Sequence, residues 1–330
     1  MSLKRLDQED ITVSIESVAT SAWSNNIPTL TDFFTNETQK NSTSGQFFHE
    51  VYNIDPNNDQ AEVQFSIAYG DIAGAGADPF TATENENTPT SVTYKQYRNL
   101  IFGAEAEEKF KFDDGEDSDR IFVINIERSR YKERLLPGSF ELTLKKGDDE
   151  IVLKDNSSEQ QAQVFTDAGR EFKLILENSG GDVDKDAIDS YGKIYPDIGV
   201  IILNAEALTE TPENGGLDLD LKPGTNEPLD DILTALNTGG SFKLQSEETI
   251  SSNILFVRAR NAEFNYTTNP SIIDSTGEIR NATLINSPQT YITTVGLFND
   301  KNELLAVAKL SRPLLKDFNK EALIRIKLDF

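Results

Sequence analysis

The chain has 330 residues, 37% hydrophobic and 26% charged, enough for a sizeable core and for one large or two to three ordinary domains of roughly 100–200 residues. No stretch approaches the roughly 18 consecutive apolar residues of a membrane helix, and 31 basic against 56 acidic residues leave a net charge of −25 that opposes nucleic acid and anionic membranes. With no Cys and one His, disulfides, thiolate nucleophiles, iron–sulfur clusters and multi-histidine metal centres are excluded.

Met1–Asp10 has two basic residues but no apolar segment or small-residue cleavage pattern, so no secretory signal is expected. Residues 23–34 have helical character that Pro28 interrupts. His49 could form a dyad with Glu50 and a distant serine such as Ser44. Neighbours on a strand point to opposite faces, however, so His49 is expected to be a solvated or interface histidine. Val63, Phe65 and Ile67 alternate with polar residues as in a half-buried strand. Gly70, Gly74 and Gly76 follow in a turn-rich stretch, but Pro79 replaces the third glycine of a dinucleotide fingerprint, and no phosphate-loop motif occurs. Ser91–Phe102 places Tyr94, Tyr97 and Ile101 on one helical face, and residues 113–119 form an acidic turn.

Ile121–Ile126, Phe172–Leu176 and Val200–Leu203 are continuous apolar runs, expected as strands buried on both faces, and Phe140, Leu142 and Leu144 mark a half-buried one. Arg128, Arg130, Lys132 and Arg134 concentrate positive charge in an acidic chain. Their shared parity would line one face of an extended strand, either guarding a sheet edge or docking a partner. Asp182, Asp184 and Asp186 repeat the first ligand positions of a calcium loop, but Ala187 and Lys193 stand where the turn glycine and the bidentate glutamate belong, which fails as an EF-hand and favours a solvated acidic loop over a looser calcium site.

Asp218 and Asp220 alternate with Leu217, Leu219 and Leu221 as the outward face of a strand. Pro228–Asn237 is the clearest helix, with Leu229, Ile232, Leu233 and Leu236 at helical spacing, acids in its first turn and Gly239-Gly240 as a stop. Tyr291–Phe298 and Glu303–Leu310 flank Asn299-Asp-Lys-Asn302 as a hairpin, and Pro313 is expected to end its second strand. The last strand, Ala322–Phe330, turns Ile324, Ile326 and Leu328 inward.

These elements predict a mainly β chain: antiparallel β-sandwich-like domains with long loops and one or two short helices. Soft boundaries divide it into an N-terminal β-rich region 1–112, a middle region 113–250 with the helix near 228–237, and a C-terminal β domain 251–330. No intact motif assigns catalytic residues, a cofactor or a metal.

Several phrases together resemble one family. These are Phe65-Ser-Ile-Ala-Tyr-Gly70, Tyr97-Arg-Asn-Leu-Ile-Phe-Gly103, Phe122-Val-Ile-Asn-Ile-Glu-Arg-Ser-Arg-Tyr-Lys-Glu-Arg-Leu-Leu-Pro-Gly-Ser139, Arg260-Asn-Ala-Glu-Phe-Asn-Tyr266 with Asn269-Pro270, and Thr294-Val-Gly-Leu-Phe-Asn299 through Leu304-Leu-Ala-Val-Ala-Lys-Leu-Ser-Arg-Pro313. They resemble virion structural proteins of T-even-like contractile-tailed phages of the marine and cyanobacterial group. The C-terminal hairpin is also similar to that of tail-fibre and baseplate-attachment domains. The resemblance implies a non-enzymatic virion component of the baseplate or tail-fibre attachment region, assembled in the bacterial cytoplasm. Its partners would be other virion proteins and further copies of itself, with Arg128, Arg130, Lys132 and Arg134 as the candidate docking residues. The alternative is a carbohydrate-binding or adhesion module using aromatic residues such as Trp23, Tyr94 or Tyr97. A glycan-degrading tailspike would show solenoid repeats, which the sequence lacks.

Overall fold

Period-2 and continuous apolar runs become strands in the computed structural model, which describes residues 3–36, 47–76, 88–103, 109–112, 117–177, 190–221 and 227–329. The chain is mainly β, its sheets are antiparallel, and four short helices accompany them. It divides into two compact units: a large one, residues 18–248, and a small one, residues 1–17 with 249–330.

The large unit is built on one long sheet. In spatial order it runs β15 (Ser241–Lys243), β9 (Glu141–Lys146), β10 (Asp149–Asp155), β12 (Gly169–Leu176), β13 (Gly192–Tyr195), β14 (Val200–Asn204), β7 (Arg120–Ile126), β4 (Val63–Asp71), β3 (Phe48–Tyr52) and β2 (Phe34–Thr35), with β11 (Val164–Thr166) added beside β12. Pairing of β4 with β7 carries this sheet across residue 113, where the sequence suggested a soft boundary. The sheet curls. Leu30 and Phe242 exchange backbone hydrogen bonds of 2.8 Å, so the segment entering β2 also binds β15 at the opposite end. The Trp23 indole N–H donates to the Phe242 carbonyl at 2.8 Å in the same place.

Curling gives the sheet an inner and an outer face, and the continuous apolar runs occupy both. Phe122, Ile124 and Ile126 of β7, with Ile201 and Leu203 of β14, enter the inner core around Trp23, Phe65, Phe140 and Phe242. Ile121, Val123, Val200 and Ile202 enter a second core with Tyr94, Ile101 and Phe110. That outer core includes residues of α1 (Pro89–Phe102), whose proline suits a first helical position. A Cβ at Gly70 would stand 3.0 Å from Ile121 Cγ1 and 3.1 Å from the Tyr94 backbone nitrogen, so only glycine lets α1 approach β4 this closely. Burial of each large side chain is worth about 1.5–3 kcal/mol, and with two cores the total is large. β5 (Phe110–Lys111) and β6 (Asp117–Ser118) form a small ladder, and α2 (Ala205–Thr209) starts at Asn204, whose side chain caps it. α3 (Asp230–Asn237) falls where its apolar spacing predicts.

In the small unit residues 11–17 of β1 (Ile11–Ser21), residues 249–259 of β16 (Gln245–Ala259) and β19 (Ala322–Asp329) form a sheet in that order; within the large unit β8 (Arg134–Leu135) pairs Ser246 and Glu247 of β16. β17 (Thr290–Phe298) and β18 (Leu304–Lys316) make a separate two-stranded ribbon, preceded by α4 (Ala282–Asn286). Ile324 and Ile326 are buried and Leu328 half-buried, as alternation predicts, whereas Phe330 lies outside the described residues. They pack with Leu255 against the inner ribbon residues Ile292, Val295, Leu297, Ala308 and Leu310.

The structure corrects three expectations and settles an open one. Pro313 does not end β18, because pairing skips from Thr294↔Lys309 to Ile292↔Leu314 and leaves the proline in a bulge where no ladder N–H is needed. Leu217, Leu219 and Leu221 are buried and their aspartates exposed, but this segment is not a strand, and Asp218 has a positive φ of 49°. Residues 23–34, which the sequence left open because Pro28 lies inside a helix-like stretch, hold one short 3-10 turn, Ser24–Asn26, and otherwise no helix. His49 is neither solvated nor at a surface: it is buried on β3 opposite Ile67, on the same face as Val51.

Candidate docking surface

The basic cluster does not form the stripe its parity suggests. Arg128–Arg130 fold into a 3-10 turn and only Arg134 enters a strand, so the side chains diverge. Each is engaged within the chain. Arg128 donates to the Tyr131 and Lys132 carbonyls at 2.7 and 2.8 Å and lies 4.5 Å over the Tyr131 ring. Arg130 bonds the Ser24 hydroxyl and pairs with Glu62 at 2.9 Å. Lys132 pairs with Glu248 at 2.9 Å, and Arg134 with Glu247 at 2.7 Å. The hydrogen bond from Ser24 and the charge of Arg130 hold the Glu62 carboxyl below its ordinary range.

Titratable clusters elsewhere serve the fold. Asp71 on β4 accepts the Ala73 N–H at 2.8 Å and the Tyr69 hydroxyl at 3.3 Å, with Arg120 at 3.5 Å. Nearby, burial pushes Glu206 upward. Tyr195 donates to Glu171 at 2.8 Å, and Glu171 pairs with Lys193 at 2.7 Å. Among the described residues no group of three or more His, Asp or Glu side chains is placed to hold a metal ion. Ser44 and the Asp182, Asp184, Asp186 run lie outside the described residues. Trp23 and Tyr94 are core residues, and Tyr97 packs against the outer core. None of the three forms an exposed aromatic platform.

The unusual surface is in the small unit. Among the described residues the large unit buries 48 apolar side chains and exposes seven large ones, whereas the small unit buries six and exposes twelve. Charge divides as sharply. The small unit has twelve basic and twelve acidic residues, so the other 19 basic and 44 acidic residues put the whole −25 on the large unit. A neutral unit with its apolar side chains outward is poorly suited to stand alone in water.

Two strips account for most of this exposure. On the ribbon, Ala308 and Leu310 pack on the core, so alternation turns Leu305 and Val307 outward at 68% and 57% exposure, beside Leu304 and Tyr291. Gly296 lies opposite Val307, and a Cβ there would meet Phe298 Cε2 at 3.0 Å, so the glycine lets the Phe298 ring lie flat on this outer face. This explains the Val-Gly-Leu-Phe phrase in physical terms. On β1, Ile11, Val13 and Ile15 are exposed by 42%, 63% and 72%.

The same unit contains a cleft of about 370 Å³, lined by Phe264, Tyr266, Ile272, Ile279, Leu284 and Phe318 among others. Behind it the fully buried Lys316 donates to Asn265 Oδ1 at 2.8 Å and to the Asn261 and Asp317 carbonyls at 3.0 and 2.9 Å, fixing the loop to the end of β18. Sequence reasoning passed over both this lysine and β1. Period-2 spacing of Ile11, Val13 and Ile15 was the available signal for the latter. Comparison with known protein families, curated proteins and solved structures finds no match.

Proposed function

We propose that the chain is a non-enzymatic structural component of a contractile-tailed phage virion, in the baseplate or tail-fibre attachment region, that acts by docking other virion proteins. The observation that carries this reading is the inverted apolar balance of the small unit, centred on the outward ribbon residues Leu304, Leu305 and Val307. Exposed apolar patches on a folded surface mark protein contacts, and this ribbon is the element that is similar to attachment-domain hairpins. The four basic residues at 128–134 support the reading only weakly, since their charges are already paired within the chain. No helix among the described residues is long and apolar enough to cross a membrane.

Leu305→Asp with Val307→Asp tests the reading. The double variant should fold with unchanged melting temperature, because both positions point to solvent, and should be lost from purified particles. Normal incorporation would refute hairpin docking.

A second reading, glycan binding, draws on the cleft, whose lining residues Tyr266 and Phe318 are each more than half exposed. A glycan array separates the two: binding abolished by Tyr266→Ala would favour the adhesion module.

A further inference from the structure

We infer that two copies of this chain associate through β1, edge to edge, in an antiparallel pair. β1 is the terminal strand of its sheet, in the order β1-β16-β19, and is eleven residues long. It contains no proline, lysine or arginine, the residues that commonly protect a free edge. Nearly every residue along it is exposed, which a strand of this length does not sustain alone. Glu16 pairs with Lys327 at 3.1 Å, and Lys327 lies on the outward face of β19. Alternation therefore turns Ile11, Val13 and Ile15 toward the opposite side, the side of Ile324 and Ile326. The core of the small unit thus opens onto an apolar strip along its edge strand.

The segments outside the described residues are poor in apolar side chains. Residues 1–2, 37–46, 77–87, 104–108, 113–116, 178–189, 222–226 and 330 contain only Met1, Phe80, Val183, Ile188 and Phe330 as large apolar side chains. Charge favours a second copy over a dissimilar partner. The small unit is neutral in a chain of −25, so it is the part that can meet itself without net like-charge repulsion. The single charge on β1, Glu16, already has its counter-ion.

A two-fold contact must be self-complementary, and the sequence of β1 allows this. Centring the pair on Ser14 sets Val13 opposite Ile15 twice and each Glu16 opposite Thr12, which gives two β-branched cross-strand pairs and keeps the two acids apart. The result joins the two copies' sheets into one in which both β1 edges are satisfied.

The test uses the full chain, in which the absence of Cys makes Ser14→Cys a unique thiol. Residues directly opposite in an antiparallel pair have Cα atoms about 4.5–5.5 Å apart, within disulfide reach. Under mild oxidation Ser14→Cys should cross-link into a dimer, while Cys at the exposed turn residue Asn302 should not. Sedimentation equilibrium should show concentration-dependent dimers that Val13→Lys with Ile15→Lys weakens at least tenfold and that Leu305→Asp with Val307→Asp leaves intact. That last arm separates this inference from ribbon docking. A monodisperse monomer without Ser14→Cys cross-linking, or dimers lost only in the ribbon variant, would overturn it. If the lysine variant fails to fold, the cross-linking result decides alone.

Discussion

The two units of this chain solve opposite problems. The large unit encloses two apolar cores within and outside one curled sheet and carries all of the net charge on its surface. The small unit is neutral and, among the described residues, buries only three members of its own core cluster and exposes two apolar strips. Charge maintains solubility and opposes indiscriminate association. Confining it to one unit leaves the other without net charge, and the docking proposal rests on that difference.

The comparison implies unequal costs for equivalent truncations, and this is its largest expected effect. Phe242 is fully buried and rings with Trp23, Phe65 and Phe140 at 4.9–5.5 Å. Phe242→Ala should cost about 3–5 kcal/mol in denaturant unfolding. Ile326→Ala should fall at the low end of the usual 2–5 kcal/mol for such truncations, because most of its neighbours are only half-buried. Equal costs would break the comparison.

Deleting residues 322–330 removes the partner of β16 and uncovers Leu255 and Val257, so the product should be insoluble. A soluble deletion variant with an unchanged melting temperature would contradict the role of β19. Arg130→Glu places a carboxylate beside Glu62 and removes the cation at Ser24, and should lower stability by about 1 kcal/mol. Lys132→Glu, at an exposed pair, should change it by less than about 0.5 kcal/mol. A melting-temperature series orders the two.

The smallest effects are those of pH. The Arg170 side-chain hydrogen bond holds Asp197 below its ordinary range. Its contribution is therefore present above the ordinary carboxylate pKa of about 4 and is lost as pH falls through the lowered folded value. Arg170→Ala should destabilise at pH 7 and cease to matter in strong acid. Glu206 is shifted the other way by burial, so its ionisation opposes folding above about pH 4. Glu206→Gln should raise the melting temperature slightly at pH 7 and leave it unchanged near pH 3.

What the sequence revealed followed from local periodicity. The ribbon was legible because alternating residues flank Asn299-Asp-Lys-Asn302, and Asn302 adopts the left-handed φ of 60° that such a turn uses. The doubly buried strands β7 and β14 were legible as continuous apolar runs. Closure of the sheet was not, because Leu30 and Phe242 meet from opposite ends of the large unit. The basic stripe misled because parity describes a face only if the segment is extended, and the acids that pair with it lie at positions 62, 247 and 248. At Leu217–Leu221, alternation reported burial correctly without a ladder to make it a strand. Which apolar faces stay uncovered is a tertiary property, invisible in β1 or β18 alone.

A reconstruction of the assembled particle with this chain placed in it tests the central claim most directly. The account predicts that Leu304, Leu305 and Val307 are buried against a neighbouring subunit while the acidic surface of residues 18–248 remains largely in solvent. A particle in which the large unit's surface forms the contacts and the ribbon faces water would contradict it.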